Sequence, residues 1–389
     1  MNILQVTREK GSDARYGIRK SLTPVLEALR KYGHTVTLFD QDNAATIPTS
    51  KLAKFAESIY FDFMRRRFGP DGKLALSVIT DRFSVAHAAA QYAANLGATH
   101  VHCHDPVLAY AYAFFAPLYG ATKRWGYSAH GYGRYVQLRL GLETSKSSLV
   151  KLQHWEDEAA IKANWVIAPS RSGLEQMKCD LSLSTQPSQW HVVPHAVIKP
   201  LAYNRIAARK AINIDQNAKL LLAVGQLIPL KRFSLLLESI ALLPTTLRPR
   251  VIILGEGEEQ HTLQALAKKL GLENLFEIRV TDNIGQYLSA ADIYASVSST
   301  ESYGIANCEA LLAEVPSVCT AVGAVPEVLG EGAMLVCDQP QQIASALAKL
   351  LTSDEARNTL VAKSKLQTEK WLIPEEIASM LENIYAGNK

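Results

Sequence analysis

The sequence predicts an α/β protein with two doubly wound parallel-sheet domains. The chain has 389 residues, which is enough for two domains of ordinary size. Its first forty residues read as a strand, a helix and a second strand, and the same alternation restarts after a polar stretch at 200–217. A strand–helix–strand unit joins parallel neighbours of one sheet, so each half of the chain predicts a parallel sheet with helices on its faces.

The composition is that of a globular protein. Apolar residues make up 48% of the chain and charged residues 20%, with a formal net charge of +4. This balance favours anionic ligands or an anionic membrane surface and does not call for nucleic acid. No apolar run is long enough to cross a bilayer, and the N-terminus lacks the layout of a signal peptide. We therefore expect a cytoplasmic protein.

The five cysteines are scattered and form no C-x-x-C pair. They predict reduced core residues rather than disulfides or a metal site. His102 and His104 flank Cys103, but a catalytic zinc site needs three protein ligands, and the sequence supplies no further ligand that can be placed beside them. We therefore expect no metal. Asp105, next in the chain, is a candidate cleft residue without an assigned role.

In the first half, short apolar runs end in polar loops, as the strands of a parallel sheet do. Ile3–Val6 is the first strand, apolar residues from Leu22 to Leu29 recur at helical spacing, and Thr35–Phe39 is the second strand. The later elements follow the same pattern and are predicted as strands closing at Val101–Pro106 and Gly126–Gly133, a helix near Leu149–Asn164, and strands at Trp165–Ala168 and Trp190–His195.

The second half repeats the alternation after the linker, and helices fill most of the chain after Gln341. The predicted strands are Leu220–Val224, Arg250–Leu254, Phe276–Val280, Ala291–Val297 and Pro316–Thr320. The predicted helices between them are Phe233–Leu243, Thr262–Leu270, Ile284–Ala290 and Cys308–Ala313.

The stretch Ser298–Leu312 is the most informative part of the chain. It follows a buried strand, turns at Gly304 and enters a helix, so Glu301 is expected at a strand end and Glu309 inside the helix. Ligands of open α/β sheets bind outside the carboxyl ends of the strands, and a helix start offers free N–H groups to phosphate. Without further context, the two glutamates are also compatible with a solvated side chain and a helix cap.

Two more loops follow strands of the second half. In Gly225–Arg232, a glycine lets the backbone approach a ligand, and Lys231 and Arg232 supply the charge that a diphosphate needs. The loop Gly255–Gly257 is a weaker signal, because short glycine turns after strands are common. An ordinary surface lysine is the less favoured alternative for Lys231.

Together these loops resemble the family-4 retaining glycosyltransferases, most clearly from Leu220 to Val336. The order is V-G-Q-L-x-P-x-K, then I-L-G-E-G, then an E-x7-E motif from Glu301 to Glu309, then G-A-V-P-E-V. The resemblance implies the GT-B fold, with two Rossmann-like domains facing each other across a cleft. Residues 1–200 would form the acceptor-side domain, onto which the C-terminal helix at 372–389 packs back, and residues 201–371 the nucleotide-sugar donor domain.

The resemblance also implies roles for individual residues. His130, Lys231 and Glu301 would be catalytic, with His130 contacting the transferred sugar, although a hydrogen-bonded structural histidine is also compatible with His130. Lys231 would hold the donor diphosphate and Glu309 the ribose. The full predicted donor-binding set is Gly17, Gly225, Lys231, Arg232, Glu301, Ser302, Tyr303, Gly304, Ile305 and Glu309.

The implied reaction is transfer of a hexosyl group from a nucleotide diphosphate sugar, UDP-hexose or GDP-mannose, with retention of configuration and without a metal cofactor. The implied acceptor is a glycan or a lipid-linked glycan, in the synthesis of cell-surface polysaccharide or glycolipid. The basic residues Arg65–Arg67 and the loop from Arg134 to Lys151 hint at an anionic or lipid-linked glycan. Arg65–Arg67, next to aromatic residues, also suggest peripheral contact with the inner face of the membrane, but a surface helix with its arginines in water fits them about as well.

The chain departs from the family pattern at several positions, and two alternatives stay open. Gln226 stands where the family usually has arginine, and His195-Ala196 replaces the common N-G. One alternative is a nucleotide-sugar 2-epimerase, which acts without an acceptor. Another is a catalytically silent subunit that binds a sugar nucleotide, since a fold alone does not determine function.

Overall fold

A computed structural model describes residues 1–11, 18–47, 66, 73–134 and 146–388. These residues form two compact units. The first comprises Met1–Ala196 together with Ile373–Lys389, and the second Val197–Leu372.

The first unit contains a parallel sheet of six strands in the order β2-β1-β3-β4-β5-β6. In chain order these strands are β1 Asn2–Val6, β2 Thr35–Phe39, β3 His100–Cys103, β4 Trp125–Ser128, β5 Trp165–Ala168 and β6 Trp190–Val192. The chain goes from β1 to one side and returns to build the other side from β3. The topological switch point, where ligands of such sheets bind, therefore lies between β1 and β3.

Helices of the first unit cover this sheet, and the last helix of the chain is one of them. They are α1 Ile18–Lys31, α2 Gln41–Thr46, α3 Lys73–Leu96, α4 Pro106–Tyr119, α5 Lys146–Lys162, α6 Arg171–Asp180 and, after the second unit, Pro374–Ala386. The last helix packs against α1, and its Tyr385 is fully buried. The strands are largely buried, so the polar residues that they carry need hydrogen-bond partners.

The second unit contains another parallel sheet of six strands, in the order β12-β11-β10-β7-β8-β9. In chain order they are β7 Leu220–Val224, β8 Arg250–Leu254, β9 Phe276–Arg279, β10 Ile293–Ser296, β11 Ser317–Thr320 and β12 Met334–Val336. Here the switch point lies between β7 and β10, so the loops that follow these two strands border the same crevice.

Eight helices of the second unit are described. They are α7 Arg205–Ala211, α8 Phe233–Ala241, α9 Gln260–Lys269, α10 Ile284–Ala290, α11 Ile305–Leu312, α12 Val325–Leu329, α13 Pro340–Thr352 and α14 Asp354–Thr368; the last helix of the chain is then α15. Short 3₁₀ turns occur at Pro229–Lys231, Thr245–Leu247 and Gly330–Gly332.

A buried ion pair fastens the start of β10 to α7. Arg209 is 1% exposed and donates from Nη2 to Asp292 Oδ2 at 2.7 Å. Its remaining N–H groups bind four backbone carbonyls, and Asp292 also accepts from the amide of Leu220 at 2.8 Å. Asp292 is therefore a structural anchor that ties β7, β10 and α7 together.

Candidate functional site

Two glycine loops interlock at the carboxyl ends of β7 and β8. A Cβ atom on Gly255 would lie 1.9 Å from the carbonyl oxygen of Gly225, so this position tolerates no side chain. The Leu227 amide donates to the Glu256 carbonyl at 2.9 Å, and the Glu259 amide donates back to the Leu227 carbonyl at 3.0 Å. The loop Gly255–Gly257 thus supports the Gly225 loop from behind.

Lys231 is positioned by the turn that follows this loop. Residues Pro229–Lys231 form a 3₁₀ turn, and the apolar stem of Lys231 lies over Gly225, where a Cβ atom would be 3.3 Å from Lys231 Cε. Glycine at 225 therefore allows the lysine stem to lie flat on the backbone. The ammonium group reaches the crevice next to β10.

Lys231 and Glu301 meet at the switch point between β7 and β10. Lys231 Nζ lies 2.5 Å from Glu301 Oε1, and the hydroxyl of Ser298 donates to the same oxygen at 2.8 Å. Both side chains of the ion pair are mostly buried, with 22% and 12% exposed. The sequence predicted that both residues bind the donor, and the structure brings them into contact.

Arg232, also predicted to bind the diphosphate, has other partners in this structure. Its guanidinium donates to the carbonyls of Val297 and Ser298 at 3.1 and 3.0 Å and to Asp338 Oδ2 at 3.0 Å. It therefore holds the end of β10 in place beside Glu301. This geometry favours a supporting position for Arg232, with Lys231 as the cation directed at the crevice.

The backbone of Glu301 rests on a second close approach. A Cβ atom on Gly323 would lie 2.2 Å from the Glu301 carbonyl oxygen, and Gly323 has a φ of +54°. The Ala324 amide donates to that same carbonyl at 2.9 Å. The G-A-V-P-E-V motif thus positions the glutamate loop, which the sequence did not reveal.

The start of α11 borders the same loop. Gly304 precedes the helix with a left-handed φ of +80°, and having no side chain it cannot cap the first N–H groups. These groups and the positive end of the helix dipole are available to an anion. Ser302 and Ile305 are half-buried beside them, and the Tyr303 side chain is buried, so Tyr303 can contribute only backbone at the crevice.

Glu309 lies one turn into α11 and is 4% exposed. Burial raises the pKa of the Tyr294 hydroxyl on β10 well above its ordinary value, and the charges of Cys319, Glu301 and Glu309 add to the rise. The Tyr294 hydroxyl donates to Asn307 Oδ1 at 2.9 Å.

In the first unit, His130 is held by two other histidines. Its Nε2 lies 2.9 Å from Nδ1 of His104, and its Nδ1 lies 3.5 Å from Nε2 of His195. Successive ring centroids are 5.2 Å apart and the ring planes are inclined by only 24° and 18°, so the three imidazoles meet at their edges. The sequence singled out His130 and noted His195 only as a departure from the family pattern.

Burial keeps these imidazoles neutral. It lowers the pKa of His195 to about 4. The pKa values of His104 and His130 are well below the ordinary value, because of burial first and of the neighbouring imidazoles second. Burial likewise lowers the pKa of His102, on β3, to about 3.

Some predicted features lie outside the described residues. Gly17, Arg65, Arg67 and most of the loop after Arg134 are among them, and Arg66 is an exposed helical residue. Within the described ranges, no helix has both the length and the apolar character to cross a membrane. The same residues contain no group of three His, Cys, Asp or Glu side chains that could hold a metal ion.

Comparison with known proteins bears on the second unit. Residues 204–367 match the model of the family described as "Glycosyl transferases group 1". The second unit therefore matches the group 1 glycosyl transferases. N-acetyl-alpha-D-glucosaminyl L-malate synthase of Bacillus anthracis is 25% identical over 181 residues, 46% of this chain and 48% of that protein.

Two further relatives are named transferases. D-inositol 3-phosphate glycosyltransferase of Mycolicibacterium vanbaalenii is 31% identical over 192 residues, 43% of this chain and 41% of that protein. A Campylobacter jejuni N-acetylgalactosaminyltransferase, named for a diphospho-undecaprenol-linked substrate, is 26% identical over 213 residues, 54% of this chain and 56% of that protein. The chain thus spans about half the length of the curated relatives that it matches.

Solved structures extend the likeness to the whole fold. Sucrose-phosphate synthase from Thermosynechococcus elongatus has a TM-score of 0.78 at 17% identity, covering 100% of this chain and 99% of that one. Anabaena Alr3699/HepE in complex with UDP-glucose has a TM-score of 0.71 at 16% identity, covering 99% of both chains. Together with the two parallel sheets, these similarities confirm the predicted two-domain, Rossmann-like GT-B fold.

Proposed function

We propose that this chain is a retaining glycosyltransferase that moves a hexosyl group from a nucleotide diphosphate sugar to an acceptor hydroxyl. The observation that supports this best is the contact of Lys231 with Glu301 at the switch point of the second sheet. The free start of α11 lies in the same stretch of chain, and all of it falls within the residues that match the glycosyl transferase family.

The chemistry needs positive charge at the leaving group. When the bond between the anomeric carbon and the phosphate oxygen breaks, negative charge accumulates on the nucleoside diphosphate. A preorganised ammonium group and a helix N-terminus stabilise such charge in a partly buried site. Lys231 and the amides after Gly304 supply both, so we propose that the reaction needs no metal cofactor.

Retention follows if the acceptor attacks from the face that the diphosphate leaves. The bond from the anomeric carbon to the acceptor oxygen then forms as the phosphate bond breaks, and the acceptor proton goes to a phosphate oxygen of the leaving group. A double displacement would need Glu301 as the nucleophile. Its Oε1 already accepts from Lys231 and Ser298, which reduces its nucleophilicity.

The donor is proposed to bind through both ends of the E-x7-E motif. Glu309 would accept from the ribose hydroxyls and Glu301 would lie near the sugar, as the family resemblance implies. UDP-hexose is the preferred donor, supported by the UDP-glucose complex of the similar Anabaena protein, with GDP-mannose as the alternative. The role proposed for His130 is contact with the transferred sugar.

The acceptor is proposed to be a glycan or a lipid-linked glycan. A relative named for a diphospho-undecaprenol-linked substrate supports this. The similar structure of WaaG, a glycosyltransferase involved in lipopolysaccharide biosynthesis, supports it as well. Such an acceptor lies at a membrane, so we propose that the enzyme works in the cytoplasm at the inner membrane face. Arg65–Arg67 are the residues proposed for that contact.

Calorimetric titration with UDP-glucose, GDP-mannose and ADP-glucose tests the proposal. We expect one nucleotide sugar to bind, and Glu309→Gln to weaken it by at least about tenfold, since a hydrogen bond to a charged group contributes about 1.5–3 kcal/mol. Glu314→Gln is the matched control, because Glu314 is an exposed acid of the same unit that pairs with Lys199 and Lys365. If none of the three binds, the proposed function is wrong.

A further inference from the structure

A continuous chain of polar side chains crosses the carboxyl end of the first sheet. It begins at Ser21, whose Oγ lies 3.2 Å from His195 Nδ1, and passes through His130 to His104 by the two imidazole contacts given above. His104 Nε2 then lies 2.9 Å from Gln5 Oε1. These groups line a cavity between β1, α1 and the loop after β6.

The series of polar side chains continues from Gln5 to the middle of the sheet. Gln5 Nε2 donates to Tyr385 Oη at 3.1 Å, and this hydroxyl lies 3.0 Å from His102 Nδ1. The indole N–H of Trp165 also donates to His102 Nδ1, at 3.0 Å. His102 Nε2 faces Ser128 Oγ at 2.9 Å, where the chain ends.

Gly126 makes the contact of Trp165 possible. It stands between His102 on β3 and Trp165 on β5 in the same row of the sheet. A Cβ atom on Gly126 would lie 2.4 Å from the Trp165 ring. The glycine therefore opens the space through which the indole crosses β4 to reach His102.

In every hydrogen bond of this series, the donor lies on the Ser21 side and the acceptor on the Ser128 side. Indole N–H is only a donor, so His102 Nδ1 carries no proton and its Nε2–H donates to Ser128. At the other side, the Gln5 carbonyl can only accept, so His104 must carry its proton on Nε2 and present Nδ1 as an acceptor. A neutral imidazole has one N–H, so the same assignment passes to His130 and then to His195, whose Nδ1 accepts from Ser21.

We propose that Gln5, His104 and His195 are positioning residues that hold His130 as a neutral imidazole with its proton on Nε2 and an acceptor lone pair on Nδ1. In this form His130 neither donates a proton to a ligand nor carries charge. It offers a single acceptor, directed toward His195.

The arrangement selects the kind of ligand group that can contact His130. The His130–His195 contact, at 3.5 Å, is the longest in the chain and the easiest to open. A sugar hydroxyl matches both sides, because its oxygen accepts from His195 Nε2 and its O–H donates to His130 Nδ1. A phosphate or carboxylate oxygen cannot donate and would leave Nδ1 unmatched. This step rests on the proposed function, and the hydroxyl could come from the donor sugar or from the acceptor.

Long-range ¹H–¹⁵N correlation spectra of the full-length, histidine-labelled protein at pH 7 test the assignment directly. We expect Nδ1 unprotonated and Nε2 protonated at His104, His130 and His195, each assigned by its loss in a single-site variant. His154 and His261 are exposed and give reference signals in the same spectrum. A proton on Nδ1 of His130, or on both of its nitrogens, would overturn the proposal.

Variants of Gln5 separate positioning from general packing. Gln5→Glu keeps an acceptor facing His104, so the Nε2–H form of His130 should persist. Gln5→Leu removes it and should give a mixture of both neutral forms. The control is His87→Gln. His87 is a buried histidine that pairs with Tyr119 and takes no part in the series of contacts from Ser21 to Ser128, so its substitution should leave all three tautomers unchanged. Identical spectra for Gln5→Leu and the unmodified protein would contradict the role of Gln5.

Ligand additions then test the hydroxyl contact. If the donor sugar supplies the hydroxyl, UDP-glucose shifts the His130 Nδ1 signal and UDP does not. If the acceptor supplies it, methyl α-glucopyranoside causes the shift. A shift with UDP alone, or none with either sugar, overturns the contact. Since the tautomers are read without any nucleotide, they remain measurable even if the proposed function fails, which the calorimetric titration decides separately.

Discussion

Lys231 and Glu301 form an ion pair of 2.5 Å although 70 residues separate them in the chain. Each is held by a glycine that permits a close approach, Gly225 beneath the lysine stem and Gly323 beneath the glutamate carbonyl. Close packing of the Lys231 stem and of the Glu301 backbone thus limits the freedom of the two charged groups. Preorganisation of this kind is what electrostatic stabilisation of a leaving group requires.

Removal of the Lys231 charge should abolish most of the turnover. Lys231→Met keeps an apolar stem over Gly225 and deletes the ammonium group, so kcat should fall about 10²–10³-fold, the typical effect of losing one stabilising group at a developing charge. Steady-state kinetics with the donor found by calorimetry give the measurement. Lys199→Met, which deletes an exposed lysine paired with Glu314, should leave kcat unchanged. Full turnover of Lys231→Met would remove Lys231 from the mechanism.

Two glycines with similar backbone conformation should respond differently to alanine. Gly271 has a φ of +68° and no atom within 4 Å of the place that a Cβ atom would take, whereas Gly323, at +54°, would place its Cβ atom against Glu301. Gly271→Ala should lower the free energy of unfolding by about 1–2 kcal/mol, the cost of holding alanine in the left-handed conformation. Gly323→Ala should lower the free energy of unfolding by more than this. It should also weaken donor binding, because the Glu301 backbone must move away from the new Cβ atom.

Urea unfolding and calorimetric titration of both variants measure these two effects. Unchanged donor affinity in Gly323→Ala would show that the position of the Glu301 backbone does not matter for binding.

The sequence predicted the strand ends and glycine loops of the second unit well because their signals are local. An apolar run followed by glycine and a charged residue identifies a strand end without knowledge of the neighbours. The start of α11 was predicted too late, at Cys308 instead of Ile305, because its N-cap is Gly304, which has no capping side chain. The strand β12 was missed, since Met334–Val336 is only three residues long and half-buried.

The histidine chain could not be predicted, because it depends on register between strands that are distant in sequence. Gln5 pairs with His102 across β1 and β3, and Trp165 reaches the same row only because Gly126 lacks a side chain. One local signal was present. Gln5, His102 and His104 are polar residues in or at the end of buried strands, where such groups need partners.

The anchor between α7 and β10 should carry much of the stability of the second unit. Asp292→Ala leaves the Arg209 charge buried without its partner, so the free energy of unfolding should fall by about 3–5 kcal/mol. Urea unfolding followed by circular dichroism measures the change. Glu175→Ala removes the acid of an exposed pair with Lys178 and should change little. Equal stability of both variants would mean that Arg209 is satisfied by carbonyls alone.

The first unit should lose stability as the pH falls from 7 to 5. Burial lowers the pKa of His195 to about 4 and of His102 to about 3, and places the pKa values of His104 and His130 well below the ordinary value. The unfolded chain, with histidine pKa values near 6.5, therefore binds more protons than the folded chain in this range. Stability is fully present above pH 6.5 and decreases by up to about 1.4 kcal/mol per pH unit for each such histidine as the pH falls toward the folded value.

Urea unfolding followed by tryptophan fluorescence measures this dependence, because Trp125, Trp155, Trp165 and Trp190 all lie in the first unit. His195→Asn removes one titrating group and should reduce the slope by about 1.2 kcal/mol per pH unit between pH 6 and 5. A stability that does not change between pH 7 and 5 would mean that the imidazoles can be protonated without loss of the fold. In that case the chain from Ser21 to Ser128 could not keep His130 neutral by burial alone.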